Sequence, residues 1–223
     1  RGYSAGRLAL NPRPPLAEYP YFKKMLADIK GLNANLVWLF PPRTWEEKTG
    51  PDGKKRGGHS SDAMWPSRWA RDSHPDNLLK EFCDAMHREG IRVYTQLRGI
   101  PLRPPTEDEK AAFAPVVGRF YRDAFAGICA EQVACGVDGV ALCEDEDYCR
   151  TANPAGVTDQ RVKDAFLRES GLAEFPKGLD DTEAVRRWHL FWYRRYAEAL
   201  REAGAAVRKA SPSAKTITNI IAE

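Results

Sequence analysis

Residues 137–147 read Val-Asp-Gly-Val-Ala-Leu-Cys-Glu-Asp-Glu-Asp, an apolar run that ends in four consecutive carboxylates. An unbroken apolar run is typical of a strand that is covered on both faces, as the strands of parallel sheets are. Gly136 stands just before it, where a preceding helix would end. The stretch therefore predicts a buried parallel strand whose carboxyl end carries concentrated negative charge.

The same alternation of helix and strand extends to both sides of this stretch. Apolar residues at helical spacing predict helices over 21–32, from Ser73 to Gly90, from about Val117 to Gly136 and from about Thr182 to Val207, the last with a capping box at Asp180 and Glu183. Further strands are predicted at 2–5, 35–40, 91–97 and 216–221. Because no hairpin signal such as Asn-Gly separates them, the pattern predicts βαβ units in a parallel sheet.

The predicted fold is an α/β fold of the TIM-barrel type, (β/α)8. Such a barrel needs eight units in about 250 residues, whereas two long insertions, 43–72 and 149–181, occupy much of this chain. We therefore expect residues 1–223 to form one barrel domain that holds about the first five strands, with the later strands outside this sequence. The alternative is a doubly wound sheet, which would favour a Gly-rich phosphate loop after an early strand. The sequence has no such loop.

Composition excludes several classes of protein. The 34 basic and 31 acidic residues leave a net charge of +3, and the basic residues are spread among acids in helices, so no nucleic-acid partner is expected. The five cysteines have no CxxC spacing, and no metal-ligand or cofactor motif is present. No run of eighteen apolar residues exists, so no transmembrane segment is expected.

The carboxylates at 144–147 are the strongest chemical signal. Repulsion between neighbouring carboxylates lets one keep its proton while another is ionised, and glycosidic bonds are cleaved by carboxylate pairs about 5 to 9.5 Å apart. Glu144, Asp145 and Glu146 are the catalytic candidates, with Glu144 and Glu146 on one side of an extended strand and Asp145 on the other. A solvated acidic turn or a divalent cation site remains the alternative. Asp138, at the other end of the strand, is predicted to be structural.

Further polar and aromatic residues follow the predicted strands, at the edge where barrels place their chemistry. Trp rings can stack on sugar faces, and His, Asp, Glu and Arg can bond to hydroxyl groups. For a loop His or Trp, simple packing is the alternative. The candidates for substrate binding are Arg43, His59, Asp62, Trp65, Trp69, Arg98 and Glu223.

Three segments, 29–40, 61–69 and 137–144, also carry a family resemblance. They resemble the bacterial glycosyl-hydrolase-like barrel proteins, distant relatives of the amylase and fucosidase barrels. In that family the first segment runs from a helix into strand two, the second is a loop with an aromatic residue before Pro-Ser, and the third is strand four. The resemblance implies a TIM barrel that hydrolyses a poly- or oligosaccharide with carboxylates and no cofactor, often in an exported protein.

One residue departs from the family pattern. The family has two acids after the fourth strand, and Cys143 stands here in place of the first. Only Glu144 matches a motif acid, so its partner would be Asp145, Glu146 or a residue on a later strand. The sequence predicts a glycosidase with Glu144 as acid/base or nucleophile, and the alternative is a non-catalytic barrel that binds carbohydrate or a cation. An isomerase or aldolase barrel would need a Schiff-base Lys or a phosphate loop, and these strands offer neither.

Overall fold

A computed structural model describes residues 2–5, 20–39, 43–49, 53, 55–96, 119–142 and 153–217 of the chain. The strands in this part are β1 (Gly2–Ala5), β2 (Leu36–Leu39), β3 (Arg43–Thr49), β4 (Lys55–Ala63), β5 (Arg92–Gln96), β6 (Gly139–Ala141) and β7 (Lys215–Ile217). The α-helices are α1 (Pro20–Gly31), α2 (Leu78–Arg88), α3 (Arg119–Ala134), α4 (Gln160–Ser170) and α5 (Thr182–Ala210). None of these helices is long and apolar enough to cross a membrane.

Five strands form one parallel sheet in the order β1-β2-β5-β6-β7. These are the five strands that the sequence predicts, and the parallel sheet is confirmed. Their order in the sheet follows their order in the chain, without the reversal that defines the switch point of a doubly wound sheet.

One face of the sheet is buried along its three central strands, β2, β5 and β6. Leu39, Thr95 and Val140 lie in one row of the register and are 2%, 0% and 0% exposed. Val37 and Val93, two residues earlier on the same face, are also completely buried. Helix α2 packs on β5. Burial of each valine and leucine side chain on this face stabilises the fold by roughly 1.5–3 kcal/mol, which explains why these strands read as largely apolar runs.

The opposite face carries an aromatic row. Trp38 pairs with Tyr94, and Tyr94 with Gly139. The ring centroids of Trp38 and Tyr94 are 6.3 Å apart. A Cβ atom on Gly139 would lie 2.8 Å from the Tyr94 ring, so glycine at this position makes room for the tyrosine.

The first insertion contains a hairpin. Strands β3 and β4 pair antiparallel, with Glu46 opposite Gly58 and Thr49 opposite Lys55. The prediction that no hairpin interrupts the βαβ pattern is therefore wrong. Gly53, at φ +69° between the two strands, adopts a left-handed conformation that glycine tolerates.

Helix α2 begins later than predicted. Its N-cap is Asn77, whose side-chain oxygen accepts a hydrogen bond from the backbone N–H of Lys80 at 2.9 Å. The predicted start at Ser73 is wrong because that segment pairs with the end of β4: Ser73 bridges to Ala63, and the backbone N–H of His74 donates to the Ala63 carbonyl.

The chain divides into two compact units, one with the described residues of 1–103, 127–143 and 206–223, the other with those of 104–126 and 144–205. In the second unit α4 packs on α5 through a buried aromatic cluster. Phe166 meets Trp188 edge-to-face at 5.3 Å, and Trp188 stacks on Phe191 at 5.8 Å. The predicted helix from Thr182 is confirmed as α5, although Asp181 rather than Asp180 accepts the capping hydrogen bond, from the Ala184 N–H. Helix α4, inside the second insertion, was not predicted.

Candidate functional site

The carboxyl ends of the parallel strands lie side by side at one edge of the sheet. Gln96 pairs with Ala141, and Ala141 with Ile217. Just beyond β6 the backbone N–H of Leu142 donates to the Ile217 carbonyl at 2.7 Å. The chain that follows each of these strands therefore leaves the sheet from the same edge.

The three predicted catalytic carboxylates, Glu144, Asp145 and Glu146, lie outside the described residues. The last described residue before them is Leu142, two positions ahead of Glu144. Two residues of chain span at most about 7 Å, so chain connectivity ties Glu144 to the carboxyl end of β6. The position and the geometry of the three carboxylates stay a prediction.

The other predicted binding residues divide into three groups. Arg98 and Glu223 lie outside the described residues. Arg43, His59 and Asp62 have their backbones in the hairpin, where Arg43 pairs with Ala63 and His59 with Trp45, but their side chains lie outside the described part. The structure places the side chains of Trp65 and Trp69.

Glu131 of α3 holds the loop that contains Trp65 in place through hydrogen bonds. Its carboxylate accepts three hydrogen bonds: from Trp65 Nε1 at 3.0 Å, from Ser67 Oγ at 2.6 Å and from the backbone N–H of Arg68 at 3.0 Å. Ser67 Oγ in turn accepts hydrogen bonds from the backbone N–H groups of Trp69 and Ala70. Trp65 is 1% exposed. Its geometry favours the packing alternative over sugar stacking.

Trp69 is half-buried and packs closely against α3. A Cβ atom on Gly127 would lie 2.0 Å from Trp69 Nε1, so the indole rests directly on the helix at its glycine. The guanidinium of Arg68 lies over the Trp69 ring, 5.1 Å from its centroid. A sugar that stacked on this ring would have to displace Arg68 from that face.

Asp138 joins two strands and a helix at the amino end of β6. Its Oδ2 accepts a hydrogen bond from the backbone N–H of Val93 at 2.8 Å and lies 2.8 Å from His87 Nε2. Its backbone donates to the Val93 carbonyl and accepts from the Lys215 N–H. These bonds give Asp138 the structural role that its position predicts.

The described cysteines are buried free thiols: Cys83, Cys129 and Cys135. Burial raises the pKa of Cys83 and of Cys135, although a hydrogen bond from Asn77 to the Cys135 sulfur opposes the rise in the latter. A protonated thiol is a poor nucleophile and metal ligand, so these residues act as small apolar side chains. Among the described residues no group of His, Cys, Asp or Glu side chains could hold a metal ion.

The sequence does not reveal that Glu131 and Gly127 contact the loop that contains Trp65 and Trp69. An acid and a glycine in an amphipathic helix are ordinary in isolation, and nothing in the local pattern indicates that both meet a loop about sixty residues earlier. The two Trp residues of 65–69 indicated that this loop is a candidate binding segment, but nothing in the loop indicates that it packs on α3.

No protein-family model matches this sequence, and no curated protein matches it significantly. The resemblance to the glycosyl-hydrolase-like barrels therefore rests on the segments 29–40, 61–69 and 137–144 themselves.

Proposed function

We propose that this chain is part of a TIM-barrel glycoside hydrolase that cleaves glycosidic bonds in a poly- or oligosaccharide. One observation carries the proposal: Glu144 follows by three residues the end of a parallel strand, β6, whose neighbours on both sides end at the same edge. Catalytic residues of β/α barrels come from the carboxyl ends of several strands. The run Glu144–Asp147 is therefore our candidate for the catalytic carboxylates.

Two features of the sheet support a barrel. Its five parallel strands follow chain order, as they must when every crossover has the same hand and places its helix on the same side. One face is buried along β2, β5 and β6, and the other carries Trp38 and Tyr94, as expected where the inner face of a barrel is filled by side chains. Closure requires strands beyond β7.

The proposed mechanism divides the work between two carboxyl groups. Glu144 acts as acid/base or nucleophile, and Asp145, Glu146 or an acid on another strand is its partner. A separation of about 5–5.5 Å between the two carboxyl groups would retain the configuration of the sugar, whereas about 6.5–9.5 Å would leave room for water and invert it. Repulsion within the acidic run would favour one protonated and one ionised group.

The test is Glu144→Gln in the intact protein, assayed with a library of oligosaccharides. We expect the rate of hydrolysis to fall by about 10²–10⁴-fold, the usual contribution of a general acid or base. Glu89→Gln is the matched control, because Glu89 is an exposed partner of Lys30 at the end of α2. Hydrolysis that survives Glu144→Gln at the control level would refute the assignment.

Cys143 favours a second candidate, a barrel that binds carbohydrate or a cation without cleaving it. A thiol at this position removes one of the two acids that the resembling family carries. For this candidate, wild type would bind glycans without releasing products, and Glu144→Gln would leave that binding unchanged. If hydrolysis appears only in Cys143→Glu, the missing first acid is the reason that wild type binds glycans without cleaving them.

A further inference from the structure

The second unit contains a cleft of about 520 Å³ formed by the second insertion. This volume lies within the range of small-molecule sites. Its apolar walls come from the short 3₁₀ helix Pro154–Gly156, from one side of α4 and from the segment before α5. The apolar lining residues are Pro154, Ala155, Val157, Leu167, Phe175 and Pro176.

Phe175 is a fixed wall of this cleft. Its ring meets Phe166 edge-to-face at 5.6 Å and Trp188 at 5.2 Å, and both of those residues are completely buried. The ring is therefore held in place by the aromatic core of α4 and α5. The Lys163 ammonium lies over it, and a ligand that stacks on the ring has to draw this cation aside. A preorganised apolar surface of this kind binds a flat apolar face at low entropic cost.

The charge of the lining is positive. Lys163 lies with its ammonium 5.5 Å from the centroid of the Phe175 ring, and among the described residues no carboxylate forms an ion pair with it. Lys177 pairs with Glu174 at 3.5 Å, but the two side chains are 89% and 79% exposed, and such a pair contributes little. Two lysines against one glutamate leave the cleft with a charge of +1.

A neutral hydrogen-bonding group completes the lining. Gln160 donates from its Nε2 to Asp164 at 2.8 Å, and this bond orients the amide. The side-chain oxygen of Gln160 is then an acceptor for a hydroxyl group. Apolar walls, a cation that has no carboxylate partner within the described part of the chain and an amide acceptor together match a ring with an apolar C–H face, a carboxylate and hydroxyl groups.

We infer that this cleft is a subsite for a carboxylate-bearing saccharide, such as a uronic acid unit. The ligand carboxylate binds Lys163, and the C–H face of the sugar lies on the apolar wall. This inference rests on the proposed function and specifies its substrate class. The cleft begins at Pro154, ten residues beyond Glu144 in the chain.

The test is calorimetric titration of the intact protein with tri-galacturonate and with the same trimer methyl-esterified at every carboxyl group. We expect the acid form to bind at least about tenfold more tightly than the ester, because only the acid offers the Lys163 ammonium a charged hydrogen-bond acceptor. Lys163→Gln should remove this difference, while Lys163→Arg, which keeps the charge, should retain most of it. Lys209→Gln, at an exposed lysine near the end of α5, is the control.

Three results would overturn the inference: equal affinity for acid and ester, an unchanged affinity in Lys163→Gln, or equally tight binding of hexaglutamate. The titrations are repeated in Glu144→Gln, where binding at the cleft should persist. If the protein does not prefer the acid trimer over the ester but its hydrolysis still depends on Glu144, the subsite is refuted and the hydrolase proposal stands. If the protein prefers the acid trimer but wild type hydrolyses no oligosaccharide, the hydrolase proposal is refuted and the subsite stands.

Discussion

At the residue scale, Glu131 shows how one carboxylate can organise a loop. It satisfies three donors of the segment 65–68, among them the indole N–H of Trp65, whose side chain is buried. A buried donor without a partner costs more than an ordinary hydrogen bond contributes. The loop 63–77 therefore depends on a residue of a helix much later in the chain.

We expect Glu131→Ala to lower the free energy of unfolding by about 2–3 kcal/mol, because it leaves the Trp65 N–H and the Ser67 hydroxyl without their acceptor. Urea denaturation followed by tryptophan fluorescence measures the change. Glu89→Ala, which breaks only the exposed pair with Lys30, should cost less than about 1 kcal/mol. Equal effects of the two substitutions would contradict the role given to Glu131.

Gly127 allows a second prediction at this scale. Gly127→Ala would place a methyl group about where the Trp69 indole lies, so we expect a loss of about 1–3 kcal/mol from overpacking and an altered near-UV spectrum of Trp69. Gly31→Ala is the matched control, because a Cβ atom there meets nothing within 4 Å. That change should be neutral or stabilise α1 by up to about 1 kcal/mol. The same effect from both alanine substitutions would contradict the close packing of Trp69 on Gly127.

At the element scale, apolar patterning predicted the strands of the parallel sheet but missed the hairpin and helix α4. The strands at 36–39, 92–96 and 139–141 are apolar because the sheet is covered. The hairpin was missed because Arg43–Thr49 and Lys55–Ala63 are largely polar and their strand pairing leaves no apolar alternation to read. The start of α2 was misplaced because Ser73, Asp76 and Asn77 are all good caps, and only the bridge from Ser73 to Ala63 decides between them.

Helix α5 provides a pH prediction. Hydrogen bonds from Arg186, and then from Arg187, lower the pKa of Glu183 from 4.5 to about 2. Because the folded-state pKa is below the ordinary value, ionised Glu183 stabilises the folded state fully above about pH 4.5. This contribution is lost as the pH falls through about 2. Since Glu183 is an exposed side chain in the first turn of α5, the effect is small.

The measurement compares the unfolding of wild type and Glu183→Gln in urea between pH 7 and pH 2. The difference should be constant from pH 7 to about pH 5 and disappear towards pH 2. In the Arg186→Gln background, which lacks the main partner, the difference should be smaller. A difference that grows as the pH falls would have the wrong sign for a lowered pKa.

At the scale of the whole molecule, the sequence predicted the parallel sheet, while the barrel and the site at Glu144 stay predictions. Strand ends follow from apolar runs, and parallel register brings those ends to one edge. The distances between carboxylates depend on how the chain after β6 turns, which no local pattern encodes. The cleft around Lys163 and Phe175 was not predicted, because it requires the packing of α4 on α5.

The central claim is that Glu144, at the carboxyl end of β6, performs the cleavage of a glycosidic bond. The most direct test is the ratio of kcat/KM for Glu144→Gln and wild type on the oligosaccharide that the intact protein cleaves fastest. We predict a ratio of about 10⁻² or lower, with the fall mainly in kcat, because the carboxyl group acts in the transition state. A ratio close to that of Glu89→Gln would contradict the claim.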